Sequence, residues 1–191
     1  MPKKVDADER RRAIAEAVFR VIETTGSEAV SLRDVAAETG VSMGMVQHYF
    51  RTKDEMLMFA LDHMGERVGS RLQARLAAMA DPTPQQITRA MLTEMLPSTR
   101  QSRQEAAVSI AFFNRAVATP AYAAALRDGY RRLLTLVAAQ LPPDRQDEAD
   151  TLFFLTQGLL GPVLLGHFTA EQATTLLDAQ LDRAFAPLTA A

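Results

Sequence analysis

The sequence predicts an all-α fold, and three observations carry that expectation. Apolar residues recur at helical spacing, beginning with Ile14, Val18, Val21 and Ile22, whereas valine and isoleucine never alternate with polar residues long enough for a strand. Alanine, leucine, arginine and glutamate dominate, and all four favour helix. The prolines fall mostly between the apolar-periodic stretches, and Gly26 and Gly40 sit where helices end. Hydrophobic residues make up 48% of the 191, ample for a sizeable core. The expected architecture has about nine helices. A three-helix helix-turn-helix module over 1–52 precedes a helical bundle over 53–191.

Residues 1–7 read as a tail. A first helix runs over 8–25 and stops at Gly26, a residue suited to a left-handed terminus. Ser31 caps a short second helix, with Asp34 in the third position of a capping box, and Gly40 ends it. Ser42 caps a third helix that reaches about residue 50. Thr52, with Glu55 three residues on, opens a long fourth helix to about 79. The run Asp81-Pro82-Thr83-Pro84 is a break. Further helices follow to about 96, over 100–118, from Pro120 to about 141, and after Pro142-Pro143-Asp144. A last one, capped by Thr169 with Gln172, ends near 185.

A net charge of −2 permits a nucleic-acid partner without demanding one, and residues 1–55 hold nine basic against ten acidic side chains. Distribution says more than the total. Residues 39–53 contain no acid, only Arg51, Lys53 and His48, and a surface meeting phosphate needs that local absence of negative charge. No cysteine is present, so disulfides and thiolate metal sites are excluded and a reducing, cytoplasmic setting fits. The most apolar run, residues 152–168, is interrupted by Gly158, Gly161, Pro162 and Gly166 and reads as a buried helix, so no membrane partner is expected.

Helices two and three, joined by a short glycine-containing turn, form the helix-turn-helix pattern. Ala36 and Ala37 are small where the two helices must approach, and Gly40 can adopt the positive φ of the turn. Val35, Val41, Val46 and Phe50 supply a small core. On the third helix Val46 and Phe50 face inward together, while Met43 with Gln47 and Gly44 with His48 lie on the other side. That face suits a major groove. A glutamine can bond adenine through two hydrogen bonds, and a methionine can lie on a thymine methyl. Gly44 lets the backbone approach, and the amides at Ser42, together with Tyr49 and Lys53, can meet phosphates.

The run VSMGMVQHYFRTKDEML, residues 41–57, resembles the TetR-family signature, and Ser31, Leu32, Val35, Ala36 and Gly40 resemble its preceding helix. The resemblance covers residues 10–60. It implies a DNA-binding transcriptional regulator, a repressor released from a palindromic double-stranded operator by a small apolar or amphipathic effector. It also implies that Ser42, Met43, Gly44, Gln47 and His48 face the groove, and that Ser31, Tyr49 and Lys53 contact the backbone; Arg33 is a further candidate DNA contact. Met43 and Gln47 depart from the common pattern, so the resemblance implies no base preference. The remaining chain is similar, more loosely, to the effector-binding and dimerisation region of the BetI-like subgroup, through Leu96-Pro97, residues 103–116 and Tyr130-Arg131-Arg132.

In that region Met64, Met91, Met95 and Gln157 are candidates for an effector pocket, as are Glu94, Ile110, Phe113 and Asn114. Glu94 fits an internal salt bridge equally well, and the apolar members fit an ordinary core. Ala173, Leu176, Leu177, Leu181, Ala184 and Phe185 share one face of the last helix, and the eighth helix is apolar almost all round. A homodimer through helices eight and nine is therefore expected. No nucleophile elbow, zinc-protease motif or glycine-rich phosphate loop occurs, so neither a catalytic residue nor a cofactor is expected. The scattered His48, His63 and His167 suggest no metal. Two rivals remain: a small helical enzyme or lipid carrier, and a helix-turn-helix protein acting through a protein partner.

Overall fold

The computed structural model describes residues 2–26 and 30–187. All its regular structure is helical: α1 (Pro2–Thr25), α2 (Leu32–Thr39), α3 (Met43–Tyr49), α4 (Lys53–Ala77), α5 (Pro84–Thr93), α6 (Arg100–Ala118), α7 (Pro120–Ala138), α8 (Glu148–Leu164) and α9 (Ala170–Phe185). The stretch expected to be a tail is helical from Pro2, a residue whose missing N–H costs nothing in a first turn. The eighth helix starts at Glu148 and not directly after the Pro142-Pro143 pair. Residues 142–148 first make two turns, with Arg145 N–H on Pro142 O and Glu148 N–H on Arg145 O.

Local caps set most of the boundaries. Ser31, Ser42, Thr52, Thr83, Thr99 and Thr169 each accept the N–H three residues on, which satisfies a donor the helix leaves open. Gly40 ends α2 at φ +70°, a left-handed conformation that an L side chain would strain.

Packing does not respect a boundary at residue 52. One apolar cluster takes Val18, Phe19, Val35, Val46 and Phe50 from the first three helices and Met56, Leu57 and Ala60 from α4. It continues into Phe112 of α6 and Tyr122 of α7. A second cluster joins α5, α8 and α9 with Val137 and Leu141. Tertiary contact therefore runs from the N-terminal module through α4 and α6 into the bundle. Two expectations change. Ala36 is buried between α2 and α3, but Ala37 is exposed. On α9, Ala173, Leu177, Leu181 and Ala184 are buried within this chain's own second cluster, where α8 and α5 cover them, so that face is not free for a second copy.

Candidate nucleic-acid interface and ligand cavity

Helix α3 is only seven residues long, and its direction is fixed from inside. Val46 and Phe50 are fully buried, and the Phe50 ring meets Phe59 of α4 at 5.4 Å between centroids. Arg11 of α1 lies over both rings, at 4.8 and 4.4 Å, a cation–π clamp on the α3–α4 joint. Because one side is anchored, the other is presented. Ser42, Met43, Gly44, Gln47 and His48 are all exposed, Met43 by 44%. A Cβ on Gly44 would meet nothing nearer than Ser42 Oγ at 3.9 Å, so the fold itself does not demand glycine there.

The expected backbone contacts are less uniform. Arg33 is exposed, and Lys53 opens α4 beside the reading face. Tyr49 is half-buried against the core, with its ring edge-on to His48 at 5.1 Å. The Ser31 hydroxyl already serves its own helix, accepting Asp34 N–H at 3.2 Å and donating to the Asp34 carboxylate. Met45 and Arg51 are also exposed beside the face, although the sequence marked Arg51 only for its charge and Met45 not at all. Their signal was present: an exposed methionine two residues from Met43, and a base inside the acid-free window.

Helix α4 ties this module to the rest. Near its start Asp54 accepts from Tyr122 Oη and Arg115 Nη2, each at 2.7 Å, and the Arg115 guanidinium lies over the Tyr122 ring. The Tyr122 and then the Arg115 hydrogen bonds hold the Asp54 carboxyl below its ordinary range. Burial, then the bond to Asp54, pushes the Tyr122 hydroxyl up to about 12. A folded-state value above the ordinary 10.0 means that Tyr122 contributes stability fully present below pH 10 and lost as pH rises towards 12. Urea unfolding at about pH 9 and about pH 11 is expected to show a smaller alkaline loss for Tyr122→Phe than for the native chain. Equal losses would show that Tyr122 ionisation is not what weakens the fold.

Further along α4, His63, Arg67, Arg71 and Arg75 stand four residues apart on one face and form an ionic ladder. Glu16 of α1 meets His63 Nε2 at 2.9 Å and pairs with Arg67. Arg67 Nε lies 3.3 Å from Glu105 of α6. Arg71 holds Glu105 through two parallel bonds of 2.9 and 2.6 Å and reaches Glu94 at 3.2 Å. Arg75 contacts Glu94 and Thr93. Hydrogen bonding to Glu105, foremost, raises the Arg71 guanidinium above its ordinary value. Glu105, only 5% exposed, is the node of the ladder and was not legible as such. The four-residue spacing on α4 was its available sign.

Glu105 also lines a half-open cavity of about 520 Å³ bordered by α4 to α8. Of the eight sequence candidates, the structure brings together Met64, Met91, Met95 and Gln157 on its wall. Glu94 instead lies in a separate, arginine-lined cleft and is taken up by the ladder. Helix α6 turns Ala106 and Ser109 to the cavity, so Ile110, Phe113 and Asn114 do not line it. Phe113 is 52% exposed, and Asn114 is exposed as well. Among the described residues no cluster of three histidines or acids could hold a metal, and no described helix is long and apolar enough to cross a membrane.

A helix-turn-helix whose third helix is presented to solvent, carried on a helical bundle with a half-open cavity, defines a DNA-binding regulator. Comparison with known proteins places it further. Residues 14–58 match the bacterial regulatory proteins of the tetR family, and residues 84–186 match the C-terminal region of BetI-type transcriptional repressors. The chain is 35% identical over 167 residues to the HTH-type transcriptional regulator PksA of Bacillus subtilis (strain 168), covering 83% of this chain and 80% of that protein. A transcriptional regulator from Rhodococcus sp. Rha1 superimposes with a TM-score of 0.82 at 29% identity, over 91% of this chain and 95% of that one. A transcriptional regulator from Saccharomonospora viridis, solved in complex with choline, has a TM-score of 0.81 at 24% identity, over 92% and 96%. The chain belongs to the TetR family and is a DNA-binding transcriptional regulator, not an enzyme.

Proposed function

We propose that this chain is a homodimeric cytoplasmic repressor that reads a palindromic operator and is released from it by a small molecule held in the α4–α8 cavity. The observation that carries this reading is the outward face of α3, with Met43, Gly44, Gln47 and His48 exposed above a fully buried Val46 and Phe50. Two such helices about 34–36 Å apart enter successive major grooves. Selection from a random duplex pool is expected to return two inverted half-sites about one helical turn apart. Gln47→Ala should cost roughly 1–3 kcal/mol on that site and relax one base pair per half-site. Lys53→Ala should weaken all sequences alike and flatten the salt slope by about one. A pool that gives no enriched sequence at low salt would sink the operator reading. An unchanged motif in Gln47→Ala would make that residue a bystander.

The dimer uses the outward side of α8. Phe154 is 53% and Leu165 87% exposed, and they flank Gly158 and Gly161, where an added Cβ would meet nothing within 4 Å. Apolar ends around a glycine groove let a partner helix approach closely, and α9 carries a further exposed apolar side chain in Leu176, 44% exposed. Phe154→Asp is expected to give folded monomers by light scattering, with operator binding lost as dimers disappear. A Phe154→Asp dimer of unchanged affinity would place the interface elsewhere.

A further inference from the structure

We infer that the ligand of this cavity is an uncharged, mainly apolar molecule anchored by one hydroxyl or amide group at the Gln157–Tyr130 pair. The inference rests on the reading of the cavity as the effector site and specifies its chemistry.

Charge is the first argument. Three ionisable side chains other than tyrosine line the cavity: Asp62, Glu105 and Arg132. Asp62 and Arg132 are exposed and opposite in sign, so they mark the open side and cancel each other at long range. Glu105 lies inside, but its two oxygens already take both Arg71 Nη groups, with Arg67 and Gln101 on Oε1 as well. A cation finds one carboxylate at the open side, Asp62, and inside only Glu105, which two guanidinium groups already share. An anion finds Glu105 and no inward cation. Deep in the cavity an ion of either sign would exchange part of its water for a mainly apolar wall, which disfavours it against a neutral molecule of the same shape.

Hydrogen bonding is the second argument, and it is independent. Gln157 Oε1 is buried without a partner, while its Nε2 donates to Tyr130 Oη at 3.2 Å. Tyr130 thereby keeps its own proton to give. Its ring is held edge-on by Phe153 and Phe154, at 5.0 and 6.3 Å, so the pair is a fixed fixture of the wall. An unpaired acceptor beside an available donor matches a hydroxyl, which both gives and takes one hydrogen bond. Turning the Gln157 amide over leaves a donor open in place of the acceptor, and a hydroxyl satisfies that arrangement too. Elsewhere, apart from Ser109 and the three ionisable groups, the wall is apolar, with Val68, Leu72, Met91, Met95, Leu133 and Leu160 suited to a hydrocarbon body.

The test is calorimetric titration of the full chain with octan-1-ol, octanoate and octyltrimethylammonium, which share a tail and differ in head group. The alcohol is expected to bind at least about tenfold more tightly than either ion. Gln157→Met, which keeps the volume and removes the amide, should weaken the alcohol about fivefold. Tyr130→Phe, a milder change available if the first variant folds poorly, should weaken it by a similar or smaller factor. Tightest binding by either ion overturns the charge argument, and alcohol affinity unchanged in both variants overturns the anchor. An ion that binds tightly and also lowers operator affinity would leave the effector reading intact while removing this inference. Failure of all three probes to bind would remove both.

Discussion

Leu181→Asp is expected to leave no folded protein, although the apolar face it belongs to invites the view that it only separates two subunits. Leu181 is 1% exposed in the single chain, in one cluster with Ala173, Leu177, Ala184 and the inward side of α8. Truncating such a leucine costs about 2–5 kcal/mol. A carboxylate at the same place adds at least a few kcal/mol more, through its own desolvation or through being forced neutral. Domain stabilities lie at roughly 5–15 kcal/mol, so the sum removes most of what is available. Circular dichroism should show lost helix, and the chain should partition into the insoluble fraction. A soluble Leu181→Asp chain melting within a few degrees of the native one would contradict the placement of α9. Phe154→Asp is the counterpart, since Phe154 points outward and its replacement should leave helix content unchanged.

That contrast shows what a sequence can say about a helix. The period of α9 correctly marks Leu177 and Leu181 as buried, but periodicity cannot tell whether the covering surface is the same chain or a second one. Caps were legible because they are three-residue events. Ser31, Ser42, Thr52 and Thr169 each bond the N–H three positions on, whatever the rest of the chain does. The start of α8 was not legible, because Asp147 precedes it without a side-chain cap and the turns before it depend on Pro142. The reading face of α3 was legible from Val46 and Phe50, whose burial fixes the opposite side. The cavity was half legible. Met64, Met91, Met95 and Gln157 line it, but on α6 the stripe continued to Ile110 and Phe113, whereas packing against α1, α7 and α8 turns Ala106 and Ser109 inward. Glu94 and Glu105 find their arginines 23 and 34 residues away, a pairing that only the folded arrangement of α4, α5 and α6 creates.

Glu105→Ala is expected to combine a large loss of stability with a loss of communication between the cavity and the DNA-reading module. The carboxylate is 6% exposed and bonded to two arginines that are themselves mostly buried. Removing it strips Arg67 and Arg71 of their shared counter-ion, although Arg67 keeps Glu16 and Arg71 keeps Glu94, so the cost falls at the low end for breaking a buried pair, about 3 kcal/mol. For a chain of this length that corresponds to a melting temperature lower by roughly 6–12 °C. By contrast, removing Asp128 from its exposed pair with Arg131 should cost at most about 1 kcal/mol. The second effect follows from where the carboxylate sits. One neighbour, Arg67, pairs with Glu16 on α1, the helix that packs α2 and α3, while Glu105 itself lines the cavity. If a molecule in the cavity is to release the operator, it must favour one arrangement of the protein over another, and this ladder joins the cavity wall to α1. Operator affinity should therefore be titrated with octan-1-ol present and absent, in native protein and in Glu105→Gln, which keeps the size and removes the charge. The native protein should lose operator affinity on saturation with the alcohol, and Glu105→Gln should lose markedly less. The same shift in both would show that the signal reaches α3 by another route, most directly through Asp54, Arg115 and Tyr122 at the other end of α4.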